Sequence, residues 1–219
     1  MGGADGIPIS LVLVAGIAVF LGLRLRSILG TRAGFEGTTP NPPVMGRAAG
    51  PVIDVAPTPA GAVHAAPDPG TPVGRTLAAM HTIDARFDAA HFLAGAEAAF
   101  RMIVAAFTAG SRDKLRPLLT DETFRAFDGA IAARESAGEV HRTDIKEMLD
   151  IKIDDAKLAG NFASITVRFV SRQINLTVGA DGNPVAGTDA MTEIVDVWTF
   201  TRDLGAADLA WRLSAALSG

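Results

Sequence analysis

The sequence lacks several residue types on which common chemistries depend. It contains no cysteine, which excludes disulfide bonds, thiolate nucleophiles and cysteine-ligated zinc. It also contains no tyrosine, a side chain that donates to the oxyanion in isomerase pockets. Basic residues are outnumbered, 20 against 24 acidic ones, and the net charge of −4 provides no electrostatic footprint for nucleic acid.

Histidine is too sparse and too scattered to indicate a metal centre. The four histidines are His64, His81, His91 and His141. None is spaced with another histidine or a carboxylate as a metal pair on one helix face would be, so we interpret them as exposed polar residues. Asp181-Gly182-Asn183 is similar to the start of a calcium loop, but the later ligands and the closing glutamate are missing, which favours a hairpin turn. We therefore predict no metal and no cofactor.

Charge is absent from one stretch near the amino terminus. Ile7–Leu23 carries no charged residue, and as a helix it would span about 26 Å, close to a hydrocarbon core of roughly 30 Å. Arginines follow this run and none precedes it, which favours a cytoplasmic location for the rest of the chain. A cleaved signal peptide would instead have basic residues before the run. We predict an uncleaved transmembrane anchor within residues 1–30.

Proline is concentrated in a single region. Nine of the twelve prolines lie between Pro40 and Pro72. Residues 31–86 also have few large apolar side chains and no periodicity, so they cannot bury enough surface to offset the entropy of ordering. We predict a Pro/Ala/Gly-rich linker over residues 31–86 and one folded domain over residues 87–219.

The folded domain is expected to begin with three helices. Apolar residues recur at helical spacing after Asp88, which can cap a helix that Gly110 ends. Ser111 can cap a short second helix, and Thr120 can cap a third that Gly138 ends.

The apolar period then falls to two, which predicts strands. They lie around residues 151–153, 165–178 and 192–201, with a closing strand that starts at Trp211. Helices followed by consecutive strands with short turns predict an α+β fold in which N-terminal helices pack on an antiparallel sheet. The helices can cover only one face, so we expect an apolar groove on the concave side of the sheet.

Aromatic side chains are the candidates for lining this groove. Core packing explains most of them, but rings at two-sided strand positions and on the third helix can also line a pocket. The predicted groove residues are Phe124, Phe127, Phe169, Trp198 and Phe200.

A set of basic residues clusters around the first two helices. It is either a solvated face or a surface that contacts lipid headgroups, where each charge contributes about 1 kcal/mol. Its members are Arg101, Arg112, Lys114 and Arg116.

Asp196 is the acidic residue that could act as a general base in such a pocket. It shares a strand face with Ile194 and Trp198. The simpler interpretation is an ion pair with Arg168 or Arg172 on the neighbouring strand. We predict no catalytic residue and no enzymatic activity, with isomerase or dehydratase chemistry as the alternative.

Three stretches together resemble a known family. They are FLAGAEAAFRMIVAAFTAGSRDKLRPLLTDETFRAFDGAIAARESAG, ASITVRFVS and TEIVDVWTFTRD, and Trp211 follows them. They are similar to the C-terminal domain of the Tim44-like family, whose eponymous member is the mitochondrial inner-membrane subunit that tethers the import motor to the translocase. Bacterial relatives combine an N-terminal anchor, a Pro/Ala-rich linker and this domain.

The resemblance implies both a fold and a role. The fold is cone-shaped and related to nuclear-transport-factor-two-like and cystatin-like domains, with a large apolar pocket. The role is that of a non-enzymatic adaptor in contact with inner-membrane lipids. The mitochondrial protein has a charged helical N-terminal region where this chain has an anchor and a tether, so the motor-tethering role is not implied.

We therefore expect an adaptor in a bacterial inner membrane, with a periplasmic N-terminus and a cytoplasmic domain. Its groove would bind lipid acyl chains or an apolar segment of a membrane or translocating protein, in protein translocation or membrane-complex assembly. Homo-oligomerisation is left open. An isomerase- or dehydratase-type enzyme and a ligand-free scaffold that bridges membrane proteins are the alternatives.

Overall fold

A computed structural model describes residues 63–218 of the chain. The predicted transmembrane anchor and the first half of the predicted linker lie outside these residues. In chain order the elements are β1 (Val63–Ala65), α1 (Pro72–Ile83), α2 (Ala89–Thr108), α3 (Arg112–Leu115) with a 3-10 turn (Arg116–Leu118), α4 (Asp121–Ser136), β2 (Val140–Ala159), β3 (Phe162–Val178), β4 (Pro184–Asp203) and β5 (Arg212–Ser218).

The helix ends follow the capping residues of the sequence. The Asp88 carboxylate accepts the backbone N–H of His91 at 2.7 Å at the start of α2, and the Thr120 hydroxyl caps α4. Gly110 and Gly138, which follow α2 and α4, both have φ of 65°, the left-handed conformation that glycine adopts without steric cost. These predicted ends are confirmed.

Helix α1 is a correction to the predicted domain boundary. Thr71 caps it, Pro72 occupies its first turn, and Leu77 and Met80 are buried in the core. The predicted linker over residues 31–86 therefore extends too far, because β1 and α1 lie within it and α1 packs on the domain.

The five strands form one sheet in the order β1-β2-β3-β4-β5. Strands β2 to β5 are consecutive and antiparallel, as predicted. Strand β1 adds a short parallel edge to β2, which makes the sheet mixed. The predicted α+β class, with helices packed on a sheet, is confirmed.

The hydrophobic core lies between the helices and one face of the sheet. Alternate residues of β3 from Ala163 to Phe169 are buried against the helices. The opposite face carries charged residues, with an Arg168–Asp154 ion pair at 2.6 Å among its contacts, and a few valines such as Val170 and Val195. Because the strands alternate in this way, the helices need to cover only one side.

Helix α2 is the central helix of this core. Among the described residues it is the one helix long and apolar enough to cross a membrane by length and composition alone. Its inward face, which includes Phe92, Phe100 and Phe107, packs inside the domain. At its C-terminal end, the buried Arg134 of α4 donates to the carbonyl oxygens of Phe107 and Thr108, at 3.0 and 3.3 Å. The Phe107 carbonyl also accepts the Gly110 N–H at 3.1 Å, so Arg134 is its second donor.

Candidate apolar binding cavity

A cavity of about 380 Å³ opens where the α1–α2 connection and the first half of α2 face β4 and the β4–β5 connection. This volume lies within the range of roughly 300–1,000 Å³ that is usual for small-molecule sites. Its lining residues are Asp84, Arg86, Phe87, Asp88, His91, Phe92, Gly95, Ala96, Ala99, Phe200, Arg202, Leu209 and Trp211.

Four of these side chains are aromatic, and we call the site the aromatic cavity: Phe87, Phe92, Phe200 and Trp211. The Phe92 ring is at the centre, with its centroid 4.9 Å from that of Trp211 and 6.1 Å from that of Phe200. The Phe87 ring lies 5.9 Å from Trp211. These rings meet one another at angles of 50° or more. Phe87, Phe92 and Phe200 are each at most 6% exposed, so most of their surface packs within the domain.

A buried ion pair forms part of the wall. Asp84 lies between Arg86, whose Nε is 2.8 Å from the carboxylate, and Arg202, which binds the other carboxylate oxygen. The side chains of Asp84 and Arg202 are both buried. The pKa of Asp84 lies well below its usual range, chiefly because Arg86 donates a hydrogen bond to its carboxylate, with a further contribution from Arg202. The two arginines therefore stabilise Asp84 as the carboxylate.

Gly95 leaves room for the cavity in the middle of α2. A Cβ atom added to it would meet nothing within 4 Å. Glycine in a helix interior costs roughly 0.5–1 kcal/mol relative to alanine. The helical backbone does not require glycine at this position. The visible effect of Gly95 is therefore the unfilled space that it leaves in the lining of the cavity.

The residues predicted to line a groove lie elsewhere, with one exception. Phe127, Phe169 and Trp198 are fully buried in the core, where the Phe169 ring stacks on Phe100 at 4.6 Å. Phe124 is half-buried, with the Arg116 guanidinium 4.6 Å from its ring centroid. Phe200 alone of the five lines the aromatic cavity. Within residues 63–218 the five rings therefore do not share one groove, because the inward positions of β3 and β4 are closed by α2.

The residues predicted to contact lipid headgroups are mostly neutralised by carboxylates. Arg101 pairs with Glu97 at 2.9 Å, one turn earlier on α2.

Arg112 binds Asp128 at 2.6 Å and Glu135 at 2.9 Å. These contacts raise the pKa of Arg112 above its usual range, chiefly through the hydrogen bonds to Glu135. Arg116 lies 3.2 Å from Asp121, whereas Lys114 is exposed. The predicted basic surface therefore carries less net charge than its sequence suggests.

Asp196 lies on the same inward face of β4 as Trp198, as predicted, whereas the two arginines considered as its partners bind other carboxylates. Arg168 and Arg172 bind Asp154 and Glu147 on β2 instead, on the outer face of the sheet. Asp196 is fully buried, and its Oδ2 lies 3.4 Å from the Gln173 amide nitrogen.

The histidines also differ from expectation. His141 is buried, with Nδ1 2.8 Å from the Thr177 hydroxyl, so its interpretation as an exposed residue is wrong. His64 binds Glu97 at 2.9 Å, and His91 lies at the cavity mouth. In the described part of the chain, no group of three or more potential ligands could hold a metal ion.

A family model for the Tim44-like domain matches residues 73–218. The chain belongs to the Tim44-like domain family. The match begins within α1 and includes every later element, so the Tim44-like domain contains the whole aromatic cavity. Membership connects the chain with membrane-associated proteins that have a role related to protein translocation.

Solved structures show more distant likenesses to the Tim44-like chain. The intermembrane space region of the chloroplast protein ARC6 is 11% identical, with a TM-score of 0.43 over 61% of this chain and 97% of that one. A proposed dehydratase of the NTF2-like family from Streptomyces avermitilis is 13% identical, with a TM-score of 0.34 over 58% and 94%. A ketosteroid isomerase-like protein from Erwinia carotovora is 13% identical, with a TM-score of 0.31 over 57% and 93%. None of the curated proteins matches the chain.

Proposed function

We propose that this Tim44-like chain is a non-enzymatic adaptor, anchored in a bacterial inner membrane, whose domain binds an apolar group in the aromatic cavity. The group is a lipid acyl chain or an apolar segment of a membrane or translocating protein. The observation that carries the proposal is the cavity itself, in which four aromatic rings line about 380 Å³ of accessible space. An apolar group there would cover the apolar surface of the lining that is still exposed, which is worth about 25 cal/mol per Å².

The proposed anchor is the uncharged run Ile7–Leu23, which lies outside the described residues. The full-length protein should remain in the membrane pellet after a carbonate wash, and a reporter fused after Gly219 should behave as cytoplasmic. Deletion of residues 1–32 should release the protein into the soluble fraction. An equally firm membrane association of the deleted protein would refute the anchor.

Site-specific photo-crosslinking tests the binding role. Leu209 and Val185 are both exposed apolar residues, but Leu209 lines the aromatic cavity and Val185 lies on β4 near the turn after β3. A benzophenone amino acid at position 209 should crosslink to lipid or to a partner protein in intact cells, whereas the same group at position 185 should not. Equal products at both positions, or none at position 209, would contradict the proposal.

The enzymatic alternative depends on Asp196. A general base must reach its substrate, whereas this carboxylate is fully buried. Asp196→Asn should therefore leave the position 209 crosslink unchanged in a variant whose thermal unfolding is cooperative. Loss of an isomerase or dehydratase turnover in that folded variant would favour the enzyme.

A further inference from the structure

We infer that residues 55–62, which directly precede β1, extend it as a parallel strand along the open edge of β2. We call these residues the upstream segment; they lie outside the described residues. The partner of this sheet edge is therefore a part of the same chain. None of the residues 142–149, which form the edge, lines the aromatic cavity, so the contact goes beyond the proposed function and is independent of it.

The edge of β2 is open over these eight residues. Strand β2 pairs with β3 on one side along its whole length. On the other side, β1 pairs only with Asp150, Ile151 and Lys152. Within residues 63–218 no further strand lies beside residues 142–149 on that side. A strand edge of this kind presents a row of backbone N–H and C=O groups with which an extended segment can pair.

Strand β2 remains continuous over this stretch, although two bulges interrupt its ladder with β3. They lie between Ile145 and Glu147 and between Met148 and Asp150, and the pairing resumes after each of them. A bulge bends a strand and increases its twist. The open edge is therefore curved but unbroken, so an extended segment can follow it.

The direction of β1 leads the upstream segment to this edge. Val63 lies opposite Asp150 and Ala65 opposite Lys152, in a parallel pairing. In extended form, the residues before Val63 would therefore run from residue 149 toward residue 142, and eight residues of segment match eight residues of edge. The segment continues from β1 without a loop, so its pairing carries little loop-closure entropy. Its effective concentration at the edge therefore exceeds that of a separate partner.

The spacing of the prolines suits an edge strand. The upstream segment reads VAPTPAGA, and both of its prolines, Pro57 and Pro59, are at odd positions. Successive residues of a strand direct their N–H groups to opposite edges, so the even positions can all donate to β2 while both prolines face solvent. Prolines on the outer edge also prevent a further strand from adding to the sheet. The segment would therefore both pair with the open edge and end the sheet.

The side chains at the even positions are small. The imidazole Nε2 of His64 lies 2.9 Å from the Glu97 carboxylate of α2, so this side chain points toward the helices. Side chains alternate between the two faces of a strand, so the even positions of the upstream segment share this face. They are three alanines and Thr58. Such small side chains fit between the edge of the sheet and α2.

Proline substitutions at two neighbouring positions test the pairing. Ala60→Pro removes an N–H that would face β2, whereas Gly61→Pro removes one that would face solvent and continues the spacing of Pro57 and Pro59. Hydrogen exchange of the full-length protein in nanodiscs is followed by mass spectrometry on peptides that cover residues 142–149. Ala60→Pro should accelerate their exchange on the order of tenfold relative to the wild type. Gly61→Pro should leave it unchanged.

The other open edge of the sheet serves as an internal reference. Strand β5 pairs with β4 only over residues 196–201, so within the described part of the chain no strand lies beyond residues 188–195 on that side. Exchange in peptides that cover residues 188–195 should be the same in all three proteins. Equal exchange over residues 142–149 in the three proteins, or equal acceleration by both prolines, would overturn the pairing.

A distance measurement gives an independent test. Because the chain contains no cysteine, Thr58→Cys and Lys146→Cys place spin labels at two unique positions. Continuing the register of Val63 with Asp150 places position 58 beside residue 145, and neighbouring strands lie about 4.8 Å apart. The labels should therefore show a narrow distribution below about 25 Å, which Ala60→Pro broadens and Gly61→Pro does not. A broad distribution without either proline would overturn the pairing. The crosslink at position 209 does not depend on this edge, so the adaptor role would stand.

Discussion

The two tryptophans have opposite surroundings, and their substitution tests the structure directly. Trp198 is fully buried, and its ring centroid lies 4.5 Å from that of Phe100 and 5.9 Å from that of Phe169. Trp211 is half-buried in the wall of the aromatic cavity. We expect Trp198→Ala to lower the free energy of unfolding by about 3–5 kcal/mol, because it leaves a void in a closed core. We expect about half that loss for Trp211→Ala, because its ring already borders open space.

The effect of Trp198→Ala should be large on the scale of the whole domain. Domains of this kind are stable by only about 5–15 kcal/mol, and each kcal/mol corresponds to roughly 2–4 °C in the unfolding midpoint at this size. The midpoint should therefore fall by about 10 °C in a thermal scan followed by near-ultraviolet circular dichroism.

Fluorescence supplies an independent measurement of the same difference. In Trp211→Phe the remaining Trp198 should emit at short wavelength and resist quenching by acrylamide. In Trp198→Phe the remaining Trp211 should be quenched readily and should respond to apolar probes. A more accessible Trp198, or an equal loss of stability in the two alanine variants, would refute the assignment of Trp198 to the core and Trp211 to the cavity.

Three further predictions concern the stability of the domain. Gly74→Ala would place a Cβ atom 2.1 Å from the carbonyl oxygen of Asp68, so chemical denaturation should show a free energy of unfolding that is lower by about 1–3 kcal/mol. In Gly129→Ala the added Cβ atom has no atom within 4 Å, and the free energy of unfolding should rise by up to about 1 kcal/mol. Equal effects of the two substitutions would contradict this prediction. Arg134→Met should lower the free energy of unfolding in urea by about 1–3 kcal/mol, because the Thr108 carbonyl loses the Arg134 donor and the Phe107 carbonyl keeps only the Gly110 N–H. An unchanged midpoint would contradict this role of Arg134. The pKa of Asp84 is lower in the folded than in the unfolded state, where it is about 4. The ionised carboxylate therefore contributes fully to the free energy of unfolding above about pH 4, and this contribution is lost as pH falls through the folded-state pKa. Below about pH 4, the free energy of unfolding should depend less on pH in Asp84→Asn than in the wild type.

Local signals made most of the fold predictable. Asp88 and Thr120 cap helices, and Gly110 and Gly138 end them, because these effects act within one turn of chain. Alternation over residues 163–169 likewise placed one face of β3 inside. Helix α1 carried comparable signals in Thr71, Pro72 and the spacing of Leu77 and Met80, but the high proline content of the region before it favoured a linker.

The aromatic cavity was harder to predict, because it is formed by elements that are distant in sequence. The cavity forms where the connection after α1 meets the β4–β5 connection, and no local pattern links Phe87 with Trp211. The predicted groove failed for a related reason. Alternation shows that Phe169 and Trp198 point inward, but only the position of α2 decides whether an inward ring is covered, and Phe100 covers both.

The edge position of β1 has a mechanical consequence. A force applied to the chain before position 63 would act first on the three residue pairs between β1 and β2 and then on α1. It would act on β2 to β5 only after that. Residues 63–83 would span about 70 Å when fully extended, and their extraction would remove Leu77 and Met80 from the core. Asp84 and Phe87 follow α1 directly and line the cavity, so tension that extracts α1 would displace one of its walls.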